Sequence, residues 1–140
     1  MKRTNEYLNI DEVLELANKN CGCTFNKVPF DKMLFQGRTK KWETVTLYTP
    51  KSKTSSKGIE FITITPAIVN VIDSTDEGLL IIRLEGRMFL TLFWSDIKHL
   101  LTPNCLRDLN RDGRHWRINM LGTHIEVAGN KKILPIELEY

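Results

Sequence analysis

Four arginines, one histidine and one tryptophan lie within the eleven residues that run from Arg107 to Arg117. An arginine guanidinium is charged at every relevant pH, and its planar fork of donors fits phosphate or carboxylate oxygens. The indole of tryptophan adds a face on which a cation or a base can stack. This segment predicts a binding site for an anionic or nucleotide-like partner, and its candidate residues are Arg107, Arg111, Arg114, His115, Trp116 and Arg117.

A second basic segment begins at Arg38 and combines cations with an aromatic residue, Trp42. Residues 38 to 57 contain six lysines and arginines and one glutamate, a local charge of +5, whereas residues 4 to 16 carry only acids. The net charge of the whole chain is only +3, so its positive field is local and would attract an acidic partner to one region. Arg38, Lys40 and Lys41 are therefore further candidate binding residues.

A strand that includes residues 114 to 119 would divide the arginine-rich segment, because successive side chains of a strand point to opposite faces. Arg114 and Trp116 would share one face, whereas His115 and Arg117 would share the other. The whole segment therefore cannot contact a single ligand. The alternative is that Trp116 joins the core while the arginines are solvated at an exposed hairpin.

The residues Asp108, Asn110 and Asp112 to Gly113 resemble the opening of an EF-hand or dockerin calcium loop, where oxygen ligands fall at alternate positions. The twelfth position of such a loop is normally an acid, but here it is Asn119. Two arginines within the stretch would also repel a divalent cation. An ordinary Asp-Gly turn explains the same residues, and we favour that interpretation.

Three cysteines and three histidines raise the question of a zinc site. Cys21 and Cys23 could combine with Cys105, His115 or His124, but structural zinc sites typically use paired Cys-x₂₋₄-Cys motifs, and this chain has one shorter pair. We predict reduced thiols, no metal and no other cofactor.

An acid-x-Lys pattern, Asp96 to Lys98, follows an apolar stretch, and Asp73 or Asp76 precedes it by about twenty residues. This arrangement is similar to the spaced acids and lysine of PD-(D/E)xK nucleases, and the resemblance implies a divalent metal between two carboxylates with a lysine that positions or activates water. The ordinary explanation is a helix start at Ser95 and a plain turn upstream. A metal-dependent nuclease is therefore an alternative function.

Other enzyme signatures are absent from the sequence, including the Gly-x-Ser-x-Gly nucleophile motif, a phosphate-binding loop, His-Glu-x-x-His and a dinucleotide fingerprint. We therefore expect a protein that is not an enzyme.

The first element that must support these residues is an amphipathic helix, indicated by apolar residues at helical spacing: Ile10, Val13, Leu14 and Ala17. Asn9 and Glu12 form a predicted capping box at its start. The predicted helical segment covers about 9–36 and includes a short helical turn within Val28 to Phe35.

Alternating apolar residues and regularly spaced turns predict a β-rich body over about 42–138, interrupted by a polar, mobile loop at 50–58. Its strands are expected near 45–48, over a long extended stretch at 61–72 broken at Pro66, and at 116–121, 125–127 and 133–138. The firmest expectation is a hairpin of Leu79–Leu84 and Arg87–Phe93 around a two-residue Glu85-Gly86 loop. Ser95 is expected to cap a short helix that ends at Leu101.

The 140 residues have the length of one domain, 1–140. The N-terminal region lacks the apolar run of a secretory signal, and no apolar run approaches the length of a bilayer span. We predict a cytoplasmic protein without a membrane association. Its fold is expected to be α+β, an N-terminal amphipathic helix packed on a mainly antiparallel, strongly twisted sheet or partly closed barrel.

These observations predict a small non-enzymatic binding protein that recognises an acidic partner, whether nucleic acid, a nucleotide-like ligand or an acidic protein surface. The lysine, asparagine and isoleucine content would suit a phage or mobile-element inhibitor of a host nuclease. A protein-interaction module that acts as a homodimer is a further alternative, which would show as an exposed apolar patch.

Overall fold

A computed structural model describes residues 6–29, 31–108 and 113–139 of the chain. Within these ranges the helices are α1 (Ile10–Cys21), α2 (Pro66–Asp73) and α3 (Trp94–Ile97). The strands are β1 (Asn26–Lys27), β2 (Leu34–Arg38), β3 (Thr44–Tyr48), β4 (Lys53–Thr54), β5 (Glu60–Ile64), β6 (Glu77–Arg83), β7 (Phe89–Phe93), β8 (Arg107–Asp108), β9 (Arg114–Met120), β10 (His124–Val127) and β11 (Ile133–Pro135). Single 3₁₀ turns cover Glu85–Arg87, Lys98–Leu100 and Pro103–Cys105.

The described strands form two sheets and no closed barrel. The first sheet has the order β1-β2-β3-β6-β7, in which only the β3–β6 pair is parallel. The second has the order β11-β10-β9-β5-β4 and is antiparallel throughout, with β8 added to β9. The predicted α+β class with mainly antiparallel strands is confirmed.

The first sheet is apolar on both faces, as the alternation along β6 shows. Leu80 and Ile82 belong to a buried cluster that also contains inward residues of the second sheet, such as Ile118. Leu79 and Ile81 belong to a second cluster, which includes Val13 and Ala17 of α1, both fully buried. Since both faces of β6 are buried, its sequence is a continuous apolar run and shows no period of two.

The helix α1 begins as its sequence predicts. The Asn9 side chain accepts from the Glu12 backbone N–H at 2.9 Å, and the Glu12 carboxylate accepts from the Asn9 N–H at 3.2 Å, so the predicted capping box is confirmed. The helix ends at Gly22, whose φ of 65° places it in the left-handed conformation that glycine adopts without steric cost.

Residues 66 to 72 are helical, so the predicted extended stretch at 61–72 is wrong in its second half. Thr65 is the N-cap of α2, with its hydroxyl accepting from the Ile68 N–H at 3.3 Å, and Pro66 occupies the first turn. Proline is favoured there because its missing N–H has no partner in the first turn of a helix. The isoleucines and valines of α2 pack as a helical face and belong to the core between the sheets.

Three further local predictions need correction. The expected helical turn within Val28 to Phe35 is absent from its described part, where a turn leads into β2, while Phe30 lies outside the described residues. The β6–β7 hairpin is confirmed, but its connection runs from Leu84 to Met88 and contains a 3₁₀ turn, so it is longer than two residues. Ser95 does not cap α3, because the N-cap is Phe93 and makes no side-chain hydrogen bond.

The polar segment 50–58 is attached to both sheets. Lys51 forms an isolated bridge with Arg83 at the end of β6, and Ser52 donates its N–H to the Arg83 carbonyl at 2.9 Å. Residues 53–54 then pair with β5 as the edge strand β4. The segment thus links the sheets, and its mobility stays a prediction.

In the part of the chain that the structure describes, no helix is long and apolar enough to cross a membrane.

Candidate functional site

The arginine-rich segment falls on β8 and β9, and its aromatic residue is buried. Trp116 is 7% exposed, and its indole N–H donates to the Thr102 carbonyl at 2.7 Å. The ring belongs to the core between the sheets. Trp116 therefore has no open face for a base, contrary to its proposed role as a stacking platform.

The other candidates of this segment do not converge on one surface. His115 is buried, with Nδ1 3.4 Å from the Gly113 carbonyl oxygen, whereas Arg107 and Arg114 are exposed on the paired strands β8 and β9. Arg111 lies outside the described residues, as do Asn110 and Asp112 of the calcium-loop resemblance. The segment thus contributes two separate exposed cations.

Arg117 lies on the outer face of the second sheet. Its guanidinium carbon is 3.7 Å from the centroid of the Phe61 ring, a cation–π contact. Its Nε donates to Asn119 Oδ1 at 2.9 Å, and the Asn119 amide nitrogen donates in turn to the Glu126 carboxylate at 3.3 Å. This chain of contacts fixes the guanidinium and pairs it indirectly with an acid, so Arg117 is structurally engaged.

The second basic segment forms the tip of the β2–β3 hairpin, which we call the basic hairpin (residues 38–42). The loop is closed by backbone hydrogen bonds from Thr39 N–H to the Glu43 carbonyl, 2.9 Å, and from Trp42 N–H to the Thr39 carbonyl, 3.0 Å. The Thr39 hydroxyl also accepts from the Glu43 N–H at 3.3 Å. These bonds hold the tip in one shape while its cations, Arg38, Lys40 and Lys41, are all exposed.

Trp42 is the prominent residue of the basic hairpin, because 77% of it is exposed. The guanidinium carbon of Arg38 lies 5.7 Å from its ring centroid, within the range of a cation–π contact. Trp42 also has a φ of 65°, in the left-handed region that costs a non-glycine residue roughly 1–2 kcal/mol. A large exposed side chain held in a strained backbone is typical of binding sites.

Sequence reasoning included the cations of the basic hairpin but did not select Trp42 as a site residue. Both Trp42 and Trp116 have basic neighbours, so composition does not distinguish them. The available signal was position: Trp42 follows two lysines in a short polar turn, whereas Trp116 starts an alternating apolar stretch.

A cavity of about 510 Å³ lies at the ends of α2 and β7. Its lining residues are Ile72, Asp73, Thr75, Asp76, Glu77, Gly78, Phe93, Trp94, Ser95 and Lys98. Asp76 connects it to the start of β3, because its carboxylate accepts from the Thr44 N–H at 2.8 Å. The Thr44 backbone and hydroxyl donors hold the pKa of Asp76 below its ordinary value.

Asp73 lies at the centre of the contacts in this cavity. Its Oδ1 accepts from the Trp94 indole N–H at 2.8 Å and from Lys98 Nζ at 2.9 Å. Burial acts to raise the pKa of this carboxyl, but the hydrogen bonds and charge of its two partners outweigh burial and hold the pKa below its ordinary value. Asp73 and Lys98 thus neutralise each other and join α2 to α3.

The residues of the nuclease resemblance are divided between two cavities. Lys98 is bound to Asp73, whereas Asp96 lines a different cavity. Among the described residues, no three histidine, cysteine or acidic side chains are placed to share a metal ion.

The cysteines fall into two separate groups. Cys21 and Cys23 are neighbours, and burial together with the nearby Cys21 raises the pKa of the Cys23 thiol to about 11. Cys105 belongs to the core between the sheets, in the cluster that does not contain Cys23.

Comparison of the chain with known protein families, characterised proteins and solved structures found no match. The chemistry of the basic hairpin therefore has to carry the functional assignment.

Proposed function

We propose that this protein is a non-enzymatic binding protein that holds single-stranded nucleic acid at the basic hairpin. The observation that carries the proposal is the exposed Trp42 ring among three exposed cations at the tip of a closed loop. Phosphates and bases are the two chemical groups that such a surface contacts together.

Each part of the hairpin has a distinct role in this proposal. Arg38, Lys40 and Lys41 contact backbone phosphates, which supply most of the affinity and no sequence preference. A base stacks on the face of Trp42 that Arg38 leaves open, an interaction that contributes about 1–3 kcal/mol per base. The loop hydrogen bonds fix these groups before binding, so little conformational freedom is lost on association.

The exposed indole favours a single strand over a duplex, because paired bases already stack on one another and offer no free face. It also favours nucleic acid over an acidic protein, since cations alone are enough for carboxylates.

Binding can be measured by fluorescence anisotropy with a labelled oligothymidine of about 20 nucleotides, well above the about 4–16 nucleotides that small single-strand binding folds contact. Trp42→Ala and the double variant Lys40→Glu with Lys41→Glu should each weaken binding about tenfold or more, as loss of one stacked base or two phosphate contacts does. The matched control is Lys131→Glu with Lys132→Glu, an exposed lysine pair in the β10–β11 connection that has no neighbouring tryptophan in the sequence. That control should bind almost as the unmodified protein does.

Two competing probes complete the experiment, a duplex of the same length and polyglutamate. Preferential binding to the single strand supports the proposal. Equal binding to polyglutamate, unaffected by Trp42→Ala, would instead assign the hairpin to acidic proteins. An equal loss of affinity in the control with both lysines replaced would show that only total charge matters. That result would overturn the assignment of the binding site to the basic hairpin.

A further inference from the structure

The strand β7 lies at an edge of the first sheet, and its hydrogen-bonding pattern shows which backbone groups face outward. Arg83 of β6 donates its N–H to Pro50 and accepts from Ser52, both on the side away from β7. Even-numbered residues of β6 must therefore bond to β7. The same alternation continues into the connection, where the Leu84 N–H donates to the Met88 carbonyl at 2.8 Å.

The register extends this rule to β7 itself. Ile82 pairs with Leu90 and Leu80 pairs with Leu92, so the two leucines of β7 use their N–H and C=O groups within the sheet. The intervening Thr91 points its N–H and C=O outward, away from β6. Phe93 directs its N–H to the same side.

The C-terminal segment pairs with this outward edge at one residue. Phe89 and Glu139 exchange two backbone hydrogen bonds, each 2.9 Å. Continued pairing would place Glu137 opposite Thr91, but among the described residues no backbone hydrogen bond joins these two. Ile136, whose N–H faces away from β7, donates to the Thr123 carbonyl beside the second sheet at 3.0 Å. Within the described residues, no hydrogen bond uses the outward backbone groups of Thr91.

The divergence opens a groove of about 310 Å³ between β7 and residues 134–139. Its described lining contains three carboxylates, Asp96, Glu137 and Glu139, and no lysine or arginine. Phe93, which is 56% exposed, adds an apolar surface at one end.

We propose that this edge binds an extended basic peptide segment of a partner protein as an added β-strand. The outward groups of Thr91 and the N–H of Phe93 supply the main-chain hydrogen bonds, as in other strand additions. Alternate lysines or arginines of the peptide face the three carboxylates, and the residue beside Phe93 is apolar. The basic character of the peptide follows from the acidic lining of the groove.

A second copy of the chain is a poorer occupant. Antiparallel pairing of two β7 strands about Thr91 would place each Phe93 opposite a Phe89, whose outward groups already bond to Glu139. It would also bring two acidic grooves together, and like charges repel. This inference is independent of nucleic-acid binding at the basic hairpin, so the two can fail separately.

The probe is a synthetic peptide of about seven alternating lysines and valines, long enough for one ordinary strand. The proposal is tested by titrating this peptide into the ¹⁵N-labelled protein and following amide shifts and hydrogen exchange. Saturable shifts and slower exchange are expected at Thr91 and Phe93. The amides of Leu90 and Leu92, already bonded to β6, should keep their exchange rates.

Two variants separate hydrogen bonding from charge. Thr91→Pro removes only an outward N–H, which an edge strand tolerates, and Thr91→Val is its matched control. Thr91→Pro should weaken peptide binding about tenfold, whereas Thr91→Val should retain it. Glu137→Lys should weaken binding to a similar extent, and Glu15→Lys, the same charge change at an exposed position of α1, should not.

The remaining outcomes would each overturn the proposal. If Thr91→Pro and Thr91→Val bound the peptide equally, binding would depend on the charge of the groove and not on strand pairing. Undetectable saturable binding, or equal binding of a glutamate-valine peptide, would exclude a basic strand. Self-association of the unmodified chain that is lost in Thr91→Pro would assign the edge to a second copy instead.

Discussion

Trp42 has a side chain and a backbone conformation that favour different residues. Its φ of 65° is a conformation that glycine adopts freely, whereas its exposed ring gains nothing from the core. The chain therefore accepts a loss of stability at this position, and nucleic-acid binding would explain why a tryptophan is present.

Two substitutions of Trp42 separate these effects. Trp42→Gly relieves the backbone strain. Its free energy of unfolding should therefore be about 1 kcal/mol higher than that of Trp42→Ala. Both variants lack the ring and should lose oligothymidine binding alike. Urea denaturation measures the first quantity and anisotropy the second. If glycine were the less stable variant, the left-handed backbone of Trp42 would be refuted.

Arg83 is a second residue with an unusual position, since it is only 2% exposed. Its guanidinium donates to the carbonyl of Thr49 through Nε at 3.2 Å and Nη2 at 2.9 Å, and to the carbonyl of Leu8 through Nη1 at 3.2 Å. Burial lowers the pKa of this guanidinium. The arginine thus ties the chain before α1 and the end of β3 to β6 through backbone oxygens.

Replacement of Arg83 should destabilise the protein because these carbonyls would be buried without donors. Arg83→Met keeps much of the apolar volume, yet it should lower the free energy of unfolding by about 3 kcal/mol. Arg83→Lys retains a donor, so its free energy of unfolding should lie between those of the unmodified protein and Arg83→Met. Denaturant midpoints measure this order of stabilities. If Arg83→Met were as stable as the unmodified protein, water would have to satisfy the carbonyls.

At the scale of elements, the helices and strands that could be predicted are those marked by caps or turns within a few residues of the sequence. The capping box of α1 and the β6–β7 pair were predictable, because side-chain caps and turns act over a few residues. The helix α2 was missed although Thr65 and Pro66 form an ordinary helix start. Its isoleucines and valines are typical of strands, and packing against the core overrode that preference.

Asp73 couples two elements, and its effect on stability depends on pH. Its pKa in the folded protein lies below the ordinary value of 3.8. The stabilisation is therefore fully present above that value and is lost as the pH falls through the lower, folded pKa. Asp73→Asn should remove part of the acid-induced fall in unfolding free energy.

Lys98→Met removes one donor and keeps the carboxyl of Asp73, so its pH dependence should be intermediate. Denaturation at a series of pH values down to about 2 measures both variants over the range in which this carboxyl titrates. An unchanged pH dependence in Asp73→Asn would contradict the lowered pKa.

At the scale of the molecule, the predicted site divides into separate regions. The basic hairpin belongs to the first sheet, whereas Arg107 and Arg114 lie on the second. Sequence reasoning grouped them by charge, although strand alternation predicted that the arginine-rich segment would be divided between two faces. It could not show which tryptophan is exposed, because burial of Trp116 depends on contacts between distant strands.

The salt dependence of binding reports how many of these regions act together. Each phosphate contact on a single strand contributes about −0.7 to the slope of log K against log salt concentration. The three cations of the basic hairpin alone predict a slope of about −2, whereas participation of both Arg107 and Arg114 predicts about −3.5. Because the basic hairpin carries an exposed aromatic ring beside its cations, we expect the smaller value. The double variant Arg107→Ala with Arg114→Ala should leave that slope unchanged, while Lys40→Ala with Lys41→Ala should reduce it to about −0.7. The opposite pattern would move the nucleic-acid site to the second sheet.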